Sequence, residues 1–189
     1  MPATSSVFPR AARASQRPPS LHNGLAISDE PIVYEGTEGV FLGSWKNIFV
    51  SIWLEQATIL AVERMVAAFA AMPRIAAKRS DIYIITDGAR LPEASVRSYF
   101  IDTIQASEHE LASVAVVVEG SGFWASAVRS FVTGLHWLAP RSFDFRLHGA
   151  TAEVIDRLPE VHEQLTGVRI DGNRLNRILD GWLTPRRKR

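Results

Sequence analysis

The sequence predicts an α/β protein: a mixed, mostly parallel sheet with helices packed on it. Three observations point there. From about Ile32 to Leu165, apolar β-branched runs alternate with stretches of helical periodicity. Each run of the middle section ends in a turn that opens the next helix: Ile82–Thr86 in Asp87-Gly88, Val114–Val118 in Gly120-Ser121-Gly122, and Phe143–Leu147 in His148-Gly149. Strands followed by helices in this order build parallel sheets. Third, Val114–Val118 is apolar without alternation, the mark of a strand covered on both faces.

The elements follow in order. Residues 1–28 read as a disordered tail, in which Pro2, Pro9, Pro18 and Pro19 break any amphipathic helix. Pro31–Glu35 and Val40–Trp45 read as strands joined by the turn Gly36-Thr37-Glu38-Gly39. Ile48–Leu54 is a third strand or a bulged continuation of the second. Ala57–Met72 is helical, with Val62, Met65, Val66 and Phe69 recurring at spacings of three and four. After strand Ile82–Thr86, a helix opens at Pro92, which suits a first turn, and Glu93 favours its positive end. Its expected buried stripe is Val96, Tyr99, Phe100, Ile104 and Leu111.

The helix Phe123–Leu138 is expected to bury Trp124, Ala127, Val128, Phe131, Leu135 and Leu138, and Pro140 stops the chain soon after. Phe143–Leu147 alternates apolar and charged residues, as an edge strand does. Thr151–Leu165 is helical and should kink or split at Pro159, with Gly167 as its cap. Val168–Asp171 is extended. A last helix from Gly172-Asn173 shows the apolar face Leu175, Ile178, Leu179 and Trp182, and reads as an appendage docked on the core. The organisation is thus a tail over 1–28, an α/β domain over 29–167 and a C-terminal helix with basic tail over 168–189.

Composition bounds the function. A chain of 189 residues, 47% of them hydrophobic, suffices for one domain with a full core. It has no cysteine, which excludes disulfides, thiolate metal sites and a cysteine nucleophile, and which fits a reducing, cytoplasmic setting. The net charge of +1 hides an asymmetry. Residues 1–24 hold three arginines and no acid, and the last four residues are all basic. Removing these seven positive charges leaves residues 25–185 at −6. The basic ends are expected to give nucleic acid no more than weak, salt-sensitive contact. The longest apolar stretches, Ile48–Leu54 and Ala112–Val118, fall far short of the roughly 20 residues that span a bilayer.

Ligands of such folds sit at the carboxyl ends of the strands. There, Gly120-Ser121-Gly122-Phe123-Trp124-Ala125 matches G-x-G-x-x-A, and Asp144 follows at a spacing suited to a ribose-binding acid. This supports a small nucleotide- or dinucleotide-binding enzyme using Gly120, Gly122 and Asp144. Against it, Phe123 and Trp124 crowd a pyrophosphate, and Asp144 lies inside a strand. The other turn, Asp87-Gly88-Ala89-Arg90-Leu91-Pro92, reads as a strand-to-helix connection or as a docking loop. Phosphate on Ser95, beside Arg90, would add about two negative charges near a favourable helix end. The five histidines show no metal-ligand spacing, and no P-loop or G-x-S-x-G elbow occurs, so no metal, cofactor or catalytic residue is expected.

The element order, with Ser80-Asp81-Ile82-Tyr83-Ile84-Ile85-Thr86-Asp87-Gly88 leading into a helix, resembles the STAS domain over residues 30–165, in its SpoIIAA-like, STAS/SEC14-type bacterial form. The resemblance implies a non-enzymatic regulatory or scaffold protein that binds a protein partner through strand-end loops. In that family a serine at the helix start is commonly phosphorylated. The matching positions here are Gly88, Ala89 and Arg90, so Ser95 is at best a displaced substitute. The expected partner-binding residues are Asp87, Gly88, Arg90, Glu93 and Ser95. The SEC14-like side of the resemblance would imply a lipid or other hydrophobic ligand, to which no residue of the sequence points.

Overall fold

Residues 29–138 and 142–187 are described by a computed structural model. The expected tail 1–28, the side chains of Leu135 and Leu138, Pro140, and Lys188-Arg189 lie outside the described residues. Six strands form one sheet in the order β1 (Ile32–Thr37), β2 (Val40–Trp45), β3 (Ile48–Trp53), β4 (Arg79–Ile85), β5 (Leu111–Val118) and β6 (Asp144–His148). β1–β2 and β2–β3 pair antiparallel, and all later neighbours pair parallel. The first hairpin is tighter than the sequence suggests. Thr37 pairs with Val40, leaving only Glu38-Gly39 in the turn, and an irregularity between Tyr34 and Thr37 absorbs one extra residue on β1.

Helices α1 (Ile59–Ala71), α2 (Ala94–Ser107) and α3 (Gly122–Leu138) connect β3 to β4, β4 to β5 and β5 to β6. Each crossover steps the same way along the sheet. Right-handed connections therefore bring all three helices to one face. Helices α4 (Thr151–Thr166) and α5 (Gly172–Arg187) cover the other. The strands divide their side chains accordingly. Phe49, Tyr83, Val114 and Val116 face the first layer, and Val50, Ile82, Ile84 and Val117 face the second. Every residue of β5 is buried, as its unbroken apolar run predicts.

Thr58 caps α1, its Oγ1 accepting from the Ala61 amide at 3.2 Å. Helix α4 runs unbroken through Pro159 and ends, as expected, on Gly167 in the left-handed region at φ 73°. Proline removes the bond to the Ile155 carbonyl. Gly172, the first residue of α5, packs there: a side chain on it would meet the Pro159 ring at 3.4 Å and the Ile155 oxygen at 3.6 Å.

Helix α5 docks deeply. Leu175, Leu179 and Leu183 are at most 1% exposed. Trp182 lies against Phe41 at a ring separation of 5.2 Å, and a Cβ on Gly43 would stand 2.8 Å from its ring, so only glycine admits the indole. The expected free basic tail is shorter than it reads. Arg186 and Arg187 belong to α5, Arg187 pairs with Glu119, and the Arg186 guanidinium sits 3.8 Å over the Phe41 ring.

Candidate functional site

The parallel order β3-β4-β5 brings three strand-end loops together. Their bases are stitched by hydrogen bonds. The Thr86 amide and hydroxyl both donate to the Trp53 carbonyl, at 3.1 and 3.0 Å, and the Glu119 amide donates to Ile85 at 2.9 Å. Gln56 donates to the Leu91 carbonyl at 3.1 Å, tying the first loop to the second. The third loop abuts the second, since a Cβ on Gly120 would lie 3.3 Å from that of Asp87.

From this fixed base the segment Asp87–Ser95 runs over the surface, with Ala89 turned inward at 2% exposure. Asp87, Gly88, Arg90, Glu93 and Ser95 are all exposed. No side chain among Asp87, Arg90, Glu93 and Ser95 has a hydrogen-bond or ion-pair partner among the described residues. Helix α2 begins at Ala94, two residues later than the expected opening at Pro92. Glu93 is extended (φ −62°, ψ 160°) and its side chain caps nothing, while the Pro92 carbonyl accepts from Arg97 Nη1 at 2.9 Å. Ser95 thus stands in the first turn of α2, at its positive end.

Beneath the loop lies a cavity of about 130 Å3, between the sheet and helices α2 and α3. Trp53, Tyr83 and Val116 form its floor, and Ala89, Leu91 and Pro92 one wall. The cavity exists because α2 is thinly apolar. Of its expected stripe only Val96 is buried within the helix, Phe100 and Ile104 are half-buried, Tyr99 is 37% exposed, and Leu111 belongs to β5.

The Gly120–Gly122 constellation does not assemble with its acid. Gly120 and Gly122 follow the carboxyl end of β5, both at φ +85°. Asp144 opens β6 in register with Ser113, toward the amino end of β5. Five strand residues, roughly 16 Å, separate the two levels. Asp144 pairs with Arg146 at 3.2 Å instead. The carbonyls of Val118 and Gly120 accept from Arg129 Nη2 at 3.0 and 3.1 Å, and Phe123 is 92% exposed.

At the opposite end of the strands lies a Ser–His–Asn chain that no sequence motif announced. Ser113 donates to Ser80 at 2.7 Å, and Ser80 contacts His162 Nδ1 at 2.7 Å. His162 Nε2 meets Asn47 Oδ1 at 2.9 Å, and Asn47 Nδ2 donates to the Lys78 carbonyl at 3.0 Å. This sequence of donors and acceptors closes with a neutral imidazole protonated on Nε2. All four side chains are at most 3% exposed, so no substrate reaches the serine and the chain is a structural tie. Nearby on β4, the buried Arg79 pairs with Asp81 at 3.0 Å and Glu110 at 2.8 Å, and Tyr83 donates to Asp81 at 3.2 Å. These charges explain why β4 starts at Arg79, before the expected Ile82: the strand carries its own counterions.

Burial pulls His162 down to about 4, helped by the Lys46 charge, and pushes Asp81 up to about 6 against the pull of Arg79. The two act oppositely on stability. Below 6.5 the unfolded histidine takes a proton that the native one refuses down to about 4, so stability falls as pH drops. Between about 6 and 3.8 the native Asp81 takes a proton that the unfolded one refuses, so stability rises as pH drops. Between pH 4 and 6 they nearly cancel. Asp81→Asn should therefore lose stability more steeply than wild type as pH falls through that window, and His162→Gln less steeply, each by up to about 1.4 kcal/mol per pH unit. Denaturant melts at three pH values check this. Parallel profiles for all three proteins would contradict it.

Among the described residues no group of three acidic or histidine side chains is arranged to hold a metal ion, and no helix is long and apolar enough to cross a membrane. No protein-family model, curated protein or solved structure matches the chain.

Proposed function

We propose that this chain is a non-enzymatic interaction module of the STAS-like kind, docking a protein partner through the segment Asp87–Ser95. The observation that carries the reading is the uncommitted state of that segment. Its base is pinned by Thr86 and Gln56, yet Asp87, Arg90, Glu93 and Ser95 all present side chains without partners among the described residues. Two acids, one arginine and a serine on a rigid platform give a charged surface that selects by complementarity and fixes orientation. The serine–histidine pair of the fold is sealed from solvent, which favours binding over hydrolysis.

A photo-crosslinking amino acid at position 90 or 93 of the full chain, expressed in its native host, tests this. Both positions should give one adduct of the same discrete mass, and position 180 on α5 should give none. Arg90→Glu should remove the adduct from position 93 while leaving the circular dichroism spectrum unchanged, because reversing an exposed charge alters recognition more than folding. Equal adducts from position 180, or an undiminished adduct in Arg90→Glu, would move the surface elsewhere.

A further inference from the structure

We propose that the cavity under Ala89–Pro92 binds a small monocarboxylic acid whose apolar body is about the size of one aromatic ring. At about 130 Å3 the cavity is close to the engineered apolar cavity of about 150 Å3 that stays dry and takes up benzene. Its floor offers water nothing to bond. The two floor residues with polar groups have them committed elsewhere: Trp53 Nε1 donates to Ser51 Oγ at 3.0 Å, and the Tyr83 hydroxyl donates to Asp81 at 3.2 Å. The space cannot simply collapse, because Phe100 is propped edge-on against Trp53 at 6.0 Å and Tyr83 at 5.8 Å. An apolar group is the occupant such walls select.

The mouth sets the sign of the charge. Arg90 and Arg97 both line the cavity, and Glu55 is the one carboxylate among the described residues that line it. Arg97 is held in place by the Pro92 carbonyl at 2.9 Å and by the Phe131 ring, 5.7 Å from its guanidinium. Arg90 has no partner among the described residues. A fixed cation and a free one at the rim of an apolar cavity match a carboxylate joined to an apolar ring. This site shares Arg90 with the docking surface, but the two are read out separately: binding without cross-linking would sink only the docking surface, and cross-linking without binding would sink only this site.

Calorimetric titration of the full chain with 3-phenylpropionate tests it, alongside toluene, 2-phenylethylamine and palmitate. The carboxylate should saturate below about 10 mM and bind about tenfold or more tighter than the amine. Arg90→Glu should weaken 3-phenylpropionate about tenfold while leaving toluene unchanged. Val128→Phe, which fills the cavity from α3, should abolish both. If that variant loses its native circular dichroism, Ile104→Trp fills the cavity from a half-buried position instead. The proposal fails if nothing saturates, if the amine binds as well as the acid, if both filled variants bind like wild type, or if palmitate binds far more tightly, which would make the site one for a long acyl chain.

Discussion

Val117→Asp should leave no cooperative thermal transition. Val117 is fully buried, and its side chain faces the layer closed by α4 and α5, where Ile82, Ile84, Val154 and Leu179 leave a carboxylate neither water nor a donor. An unpaired charge there costs about 5 kcal/mol or more, against a typical total stability of about 5–15 kcal/mol for a domain. Val116→Asp is the informative comparison. Its side chain points the other way, into the cavity between the sheet and α2. A carboxylate there can draw in water through the mouth, so the variant should retain a cooperative melt at reduced temperature. Thermal unfolding followed by circular dichroism separates the two. Equal loss in both would mean that the cavity is closed to water, and wild-type stability in Val117→Asp would refute the burial of β5.

That contrast marks how far the sequence could be read. Val114–Val118 announces a doubly covered strand because each residue is apolar and most are β-branched, and burial follows directly from such a run. It does not say that one cover is tight and the other leaves a cavity. That difference arises from where Phe100 stands against Trp53 and Tyr83, three residues from three elements. The alternation of strands and helices was legible for the same local reason, and so was the Gly167 cap. Asp144 misled because spacing along the chain carries no register. Only pairing with Ser113 reveals that it lies at the wrong end of the sheet for Gly120. The start of β4 was hidden because Arg79 and Asp81 look like loop residues until their mutual pairing is seen. The loop Asp87–Ser95 was legible as a strand-end turn, and its exposure matches that reading. The Ser80–His162 contact joins residues 82 apart and left no local trace.

Ending the chain after Gly167 should abolish the fold, although the last helix reads in the sequence as an addition to a finished domain. The apolar face seen there, Leu175, Ile178, Leu179 and Trp182, continues one turn further to Leu183, which is 1% exposed. Together these side chains seal β2, β3 and β4 on the side away from α1–α3. Removing any one of the three buried leucines costs about 2–5 kcal/mol, and removing all of them with Trp182 exceeds what a domain of this size can lose. Truncation would also uncover Phe41 and the Gly43 backbone on which the indole rests. The truncated chain should bind a hydrophobic dye and show no cooperative melt. Ending it after Pro185 instead removes the Arg187–Glu119 pair and the Arg186 stacking, a change of about 1 kcal/mol. A cooperative, wild-type-like melt after truncation at Gly167 would make α5 the appendage that its sequence suggests. A collapse confined to the longer truncation would establish that α4 alone cannot close the second face of the sheet.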